Sequence, residues 1–210
     1  MSANAVVSAG SGGTTRATSD LTWNDESAAH RSPGGAPCAA HRRLDRHAGL
    51  MPKLSAGLLL YRRTGQDGQI APEVLLAHMG GPFWARKDDG AWSIPKGEYE
   101  PGEDPFAAAR REFEEELGSA PPSAEYRDLG SVRQGGGKLV TAWAAEADFD
   151  AAGAVSNTFE LEWPRGSGRM RSFPEIDRAA WFSVEVARAR LLRGQQPLIA
   201  RLLRLLGNPA

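Results

Sequence analysis

The stretch Gly97-Glu-Tyr-Glu-Pro-Gly-Glu-Asp-Pro-Phe-Ala-Ala-Ala-Arg-Arg-Glu-Phe-Glu-Glu-Glu-Leu-Gly118 places four glutamates, Glu112, Glu114, Glu115 and Glu116, within five consecutive positions. Asp104 is a good N-cap, Pro105 suits the first helical position, and Gly118 suits the C-terminal stop, so a helix is expected between them. Like charges this close repel one another and weaken a helix. On a helical wheel of about 100° per residue, Phe106, Ala109, Phe113 and Leu117 share a core-facing stripe. Glu112, Glu115 and Glu116 form a neighbouring stripe, while Glu114 points to solvent. Three carboxylates aimed at one small volume are relieved by a divalent cation, and hard oxygen donors suit Mg²⁺ or Mn²⁺ better than zinc. A solvated acidic face is the ordinary alternative for such a charge run.

The surrounding chain reads as an α+β domain. "LSAGLLLYRR" from Leu54 and "EVLLAHM" from Glu73 are strand-like apolar runs, and "QDGQ" between them carries a turn signal. "AWSIP" reads as a short strand stopped by Pro95. Beyond the central helix, "EYRDLGSVRQ", "KLVTAWAAEADF" and "RAAWFS" read as strands. Ser183 caps a helix expected to run through Leu192, and a last helix is expected from Pro197 to Leu206. Strands and helices mix without regular βαβ alternation, which argues against a doubly wound sheet.

Residues 1–50 differ in kind. They are dominated by Ser, Ala, Gly, Thr, Arg and His, and only Leu21, Trp23 and Leu44 stand out as large hydrophobes. Such a composition buries too little apolar area to offset ordering entropy, so a disordered extension is expected, with the domain at 51–207. Either the extension is dispensable, or the chain begins functionally at Met51; the locally basic "HRRLDRH" (His41 to His47) is the one hint of a role.

Bulk properties exclude several classes. The net charge of −1 provides no global field toward nucleic acid or membrane. A single cysteine, Cys38, allows no intramolecular disulfide and suits a reducing cytosol. No apolar run approaches the roughly 18 residues of a membrane span, and the N-terminus lacks a basic segment followed by an apolar one. A cytoplasmic protein is expected, with a small-molecule ligand, no stable nucleic-acid partner and no membrane association.

The spacing around the helix is itself a motif. Gly97, five residues, Glu103, seven residues, then Arg111-Glu112-Phe113-x-Glu115-Glu116-x-Gly118 resembles the signature of the Nudix hydrolases. Seven fixed letters coincide by chance about once in 10⁷ positions. Ser119 departs from the aliphatic residue the family prefers after the last glycine, a matter of local packing. The resemblance implies a mixed sheet sandwiched between helices, with the motif as a loop–helix–loop. It implies that Glu112, Glu115 and Glu116 hold the cations and carry the catalysis, often with the backbone carbonyl of Gly97, and that Arg111 and Glu103 tie loop to helix. A rigid arginine fork suits that task.

Clustered carboxylates with Mg²⁺ suit attack by water on a phosphoanhydride, with a glutamate taking the proton; which one is left open. Three features resemble the dinucleoside tetraphosphate branch: "PKG" with Lys96, Lys138 five residues before Trp143, and Glu175 six residues before Trp181. There the lysines lie near phosphate and the late glutamate joins the metal site. The implied substrates are nucleoside polyphosphates, dinucleoside tetraphosphate first; a nucleoside triphosphate pyrophosphohydrolase and a non-catalytic binding module are the alternatives. Trp143 and Trp181 read as core residues, Trp84 and Trp92 as core or base-stacking residues, and His78 has no assigned role. "QGGGK" (Gln134 to Lys138) is no P-loop, because it leads into a strand.

Overall fold

The computed structural model describes residues 52–65 and 71–207, so the expectations for residues 1–50 and for the "QDGQ" turn lie outside the described residues. Strand β1 (Leu54–Thr64) is the centre of a mixed sheet. It pairs antiparallel with β2 (Ala71–Met79) and with the short β4 (Lys96–Glu98), and parallel with β6 (Leu139–Glu146). Strand β3 (Trp92–Ser93) and strand β9 (Ile176–Ser183) both add to β2, and β5 (Arg127–Arg133) closes the other edge against β6.

The apolar run of β1 is continuous because both faces of the sheet are covered. Its alternate residues divide between two cores. Leu59 and Tyr61 join Val74 and Leu76 beneath α2 (Val184–Arg190) and α3 (Gln196–Leu205), which contribute Val184, Leu198, Ile199 and Leu202. Ala56, Leu58 and Leu60 join Leu75 and Ala77 beneath α1 (Pro105–Leu117), which contributes Ala108, Ala109, Phe113 and Leu117. This is the mixed sheet sandwiched between helices that the resemblance implied.

Several details differ from the sequence reading. "AWSIP" yields only the two residues of β3, since Ile94 and Pro95 turn toward β4. Helix α2 ends at Arg190 rather than Leu192. Phe106 is only partly buried, packing edge-on to Tyr126 and Trp143, and Ala108 takes a core place instead. Strands β7 (Thr158–Glu162) and β8 (Met170–Pro174) form a separate two-stranded hairpin that no pattern announced. Among the described residues no helix is long and apolar enough to cross a membrane.

Candidate active site

Helix α1 is fixed at both ends by the expected caps. The Asp104 carboxylate accepts the Phe106 N–H at 3.1 Å, and Gly118 adopts φ 74°, its N–H donating to the Glu114 carbonyl at 2.8 Å. No basic residue occupies the last turn. The C-terminal end of a helix is the negative end of its dipole, so Glu114, Glu115 and Glu116 stand where carboxylates are least welcome. The crowding is a local cost that helix formation does not explain.

The helix brings two of its glutamates against β4. A Cβ on Gly97 would overlap the Glu112 carboxylate itself. Glycine is required at 97 because the carboxylate occupies the space of its side chain; its φ is ordinary. Ser55, buried in β1, donates to the Gly97 carbonyl at 2.6 Å and anchors this strand. Next to it, the Lys96 N–H donates to Glu116 Oε2 at 2.9 Å.

Arg111 gathers the remainder. Its guanidinium donates to Glu112 at 2.6 Å, to Glu115 at 3.4 Å, to Glu103 at 3.3 Å and to the Glu98 carbonyl at 3.4 Å. Four groups from the loop, from β4 and from the helix thus share one rigid fork. Lys138 pairs with Glu98 at 2.7 Å and holds that carboxyl below its ordinary range. Glu175, between β8 and β9, is anchored through its backbone, receiving the Gly80 N–H at 2.8 Å and donating to the Asn157 carbonyl at 2.8 Å.

The electrostatics follow from crowding with little water. Burial pushes Glu116 up to about 7, against the attraction of Lys96; the charges of Glu112 and Glu175 push it the same way. Burial likewise raises Glu112 despite Arg111, with Glu115 and Glu175 adding to the rise. Burial lowers Lys96, against the pull of Glu116. Glu175 therefore lies close enough for both helix glutamates to feel its charge. Among the described residues no three carboxylate, thiolate or imidazole side chains already enclose one cation-sized point. The donor set is nonetheless one that fits a hard divalent cation: carboxylate oxygens of Glu112, Glu115, Glu116 and Glu175 and the Gly97 carbonyl, all oxygen, with an excess of negative charge.

Sequence reasoning missed Ser55 and Glu98. Ser55 sits inside an apolar run and Glu98 among surface-like glutamates, and neither carries a local signal. His78, given no role, is fully buried in β2; its Nδ1 faces Asp177 at 2.6 Å and its Nε2 faces the Lys87 carbonyl at 2.8 Å, tying β2 to β9 and to the segment between β2 and β3. Trp92 is buried, and its indole N–H donates to Asp88 at 2.9 Å. Trp84, Trp143 and Trp181 are partly buried against the two cores.

A two-faced mixed sheet presents a loop–helix–loop of oxygen donors, a donor chemistry suited to a hard divalent cation. The family model of the NUDIX domain matches residues 51–202. No curated protein matches the chain. Among solved structures, the NUDIX domain of Shewanella oneidensis NrtR, complexed with ADP ribose, is 16% identical with a TM-score of 0.51, covering 78% of this chain and 94% of that one. A mutT/nudix family protein from Listeria innocua is 16% identical with a TM-score of 0.50, covering 75% and 96%. An Ap4A hydrolase from C. elegans is 23% identical with a TM-score of 0.48, covering 73% and 98%. The chain belongs to the Nudix family. It is a pyrophosphohydrolase of nucleoside diphosphate derivatives, in a family that generally works with divalent metal ions.

Proposed function

We propose that the chain is a Mg²⁺-dependent hydrolase of nucleoside polyphosphates, with Mn²⁺ as an effective substitute and dinucleoside tetraphosphate as its preferred substrate. The observation that carries the reading is the approach of Glu112 and Glu116 to Gly97 and Lys96, with the charge of Glu175 felt at both carboxylates. Glu112, Glu115, Glu116, Glu175 and the Gly97 carbonyl would hold the cation. When bound, it neutralises charge on phosphate oxygens and lowers the pKa of a water molecule. The chain's own groups do the rest. Arg111 orients Glu112 and Glu115, the Lys96 N–H fixes one oxygen of Glu116, and the proton of the attacking water passes to one of the three helix carboxylates. The Lys96 ammonium, half-buried beside Glu116, supplies positive charge where a phosphate chain would leave the metal cluster.

The substrate assignment is tested by incubating the purified protein and Mg²⁺ with dinucleoside polyphosphates, nucleoside triphosphates including oxidised purines, and nucleoside diphosphate sugars. Products are resolved by chromatography. The highest kcat/KM is expected for dinucleoside tetraphosphate. A higher value for triphosphates would replace this reading with that of a nucleotide-pool pyrophosphohydrolase.

A further inference from the structure

The hairpin β7–β8 takes no part in either core, yet its root lies at the candidate site. Asn157, immediately before β7, donates to the backbone carbonyl of Glu115 at 3.3 Å, and Glu175 follows β8 directly. The register pairs Phe159 with Phe173 and Leu161 with Arg171, and the Trp163 N–H donates to the Arg169 carbonyl at 2.9 Å. Alternate residues of a strand, and residues directly opposite, share a face. One face therefore carries Phe159, Trp163, Arg169 and Arg171, whereas Glu160 and Glu162 belong to the other.

The aromatic face is turned toward the segment that follows β2. The Phe159 ring packs on Gly81, where a Cβ would lie 2.9 Å from it. Further out, Phe83 and Trp163 meet edge to face at 5.4 Å, and the Arg165 guanidinium lies 5.5 Å from the Phe83 centroid. Phe83 is 46% exposed. Among the described residues Arg165, Arg169 and Arg171 form no ion pair. Exposed guanidiniums beside an exposed aromatic ring are the recognition chemistry of a nucleotide: charge for phosphate, a π-face for the base.

We infer that this basic, aromatic lip grips the part of the substrate beyond the scissile phosphoanhydride, an anionic nucleotide whose base stacks on Phe83. The inference rests on the hydrolase reading above and adds to it a determinant for the distal half of the substrate. Arg171 stands four positions from Glu175, about 13 Å along an extended strand. At that remove its partner belongs to the distal half rather than to the phosphates beside the carboxylates. A nucleoside diphosphate sugar carries only one base, so with its nucleoside held at the carboxylates the half beyond the scissile bond is a sugar monophosphate, which offers the lip no base to stack and fewer phosphate charges.

The experiment compares the wild type with Arg169→Gln/Arg171→Gln and with Phe83→Ala, using diadenosine tetraphosphate and ADP ribose with Mg²⁺. For each variant, the ratio of kcat/KM for the tetraphosphate to that for ADP ribose is expected to fall by roughly 10- to 150-fold, through KM. Added salt should raise the KM of the wild type for the tetraphosphate more steeply than that of the arginine variant. An unchanged ratio would overturn the inference, since a merely structural hairpin affects both substrates alike. Calorimetric titration with diadenosine tetraphosphate separates this outcome from failure of the hydrolase reading. If no substrate is turned over, weaker binding to the variants still supports the lip, and equal binding removes it.

Discussion

Gly97 shows how one residue type can serve a site without any unusual backbone angle. Its missing side chain is the space that the Glu112 carboxylate fills. Gly97→Ala is therefore expected to displace Glu112 and to lower kcat/KM by on the order of 10²-fold, while the melting temperature changes little; steady-state kinetics with Mg²⁺ and a thermal melt check both. Glu116 yields a second prediction, about stability. Its folded-state pKa, about 7, lies above the ordinary glutamate value of 4.5. The folded chain thus binds the extra proton more tightly than the unfolded one. The stability contribution is fully present below about pH 4.5 and is lost as pH rises through about 7. Glu116→Gln keeps an oxygen for the Lys96 N–H and removes the charge, so in metal-free buffer at pH 8 it should melt a few degrees above the wild type. That advantage should vanish toward pH 4.5. An equal or lower melting temperature at pH 8 would show that Glu116 ionises without strain on the fold.

At the scale of elements, α1 was the most legible part of the chain, because caps, core stripe and acidic stripe are all local in sequence. Asp104, Pro105 and Gly118 mark its ends, and each does so by a side-chain or backbone property that needs no tertiary partner. Gly118→Ala tests the C-terminal end: φ 74° and a new Cβ 2.6 Å from the Val155 carbonyl oxygen should cost about 1–3 kcal/mol, read from urea unfolding, with turnover per folded molecule retained. A loss below that range would mean that the end of the helix readjusts freely. Strand β4 and the β7–β8 hairpin were not legible. Lys96–Glu98 is strand only because β1 pairs with it, and the alternation in "TFELE" is interrupted by a run of Pro, Gly, Ser and Arg that reads as loop. The same reason hid Ser55 and Glu98. Their roles come from neighbours 42 and 40 positions away, Gly97 for Ser55 and Lys138 for Glu98, and a linear reading carries no trace of such pairs. Lys138 was found as a residue, but its ion pair with Glu98 could not be.

For the molecule as a whole, the two cores flank one sheet, and α1 gives Ala108, Ala109, Phe113 and Leu117 to one of them while its glutamates stay outside both, so candidate catalytic residues and fold-making residues are largely separate sets. A chain beginning at Met51 is expected to keep the melting temperature and kcat/KM of the full chain, because residues 1–50 lack the composition to build a core; loss of either would make that segment part of the domain. In the proposed reaction, carboxylates of α1 turn a divalent cation and water onto a phosphoanhydride. The most direct test of this mechanism is a Mg²⁺ titration of diadenosine tetraphosphate hydrolysis by the wild type and by Glu116→Gln, with products followed by chromatography. No turnover is expected without the cation, saturable activation by it in the wild type, and at least about 10²-fold less turnover in Glu116→Gln at every concentration. Hydrolysis that persists in a chelator, or a variant that matches the wild type, would contradict the mechanism.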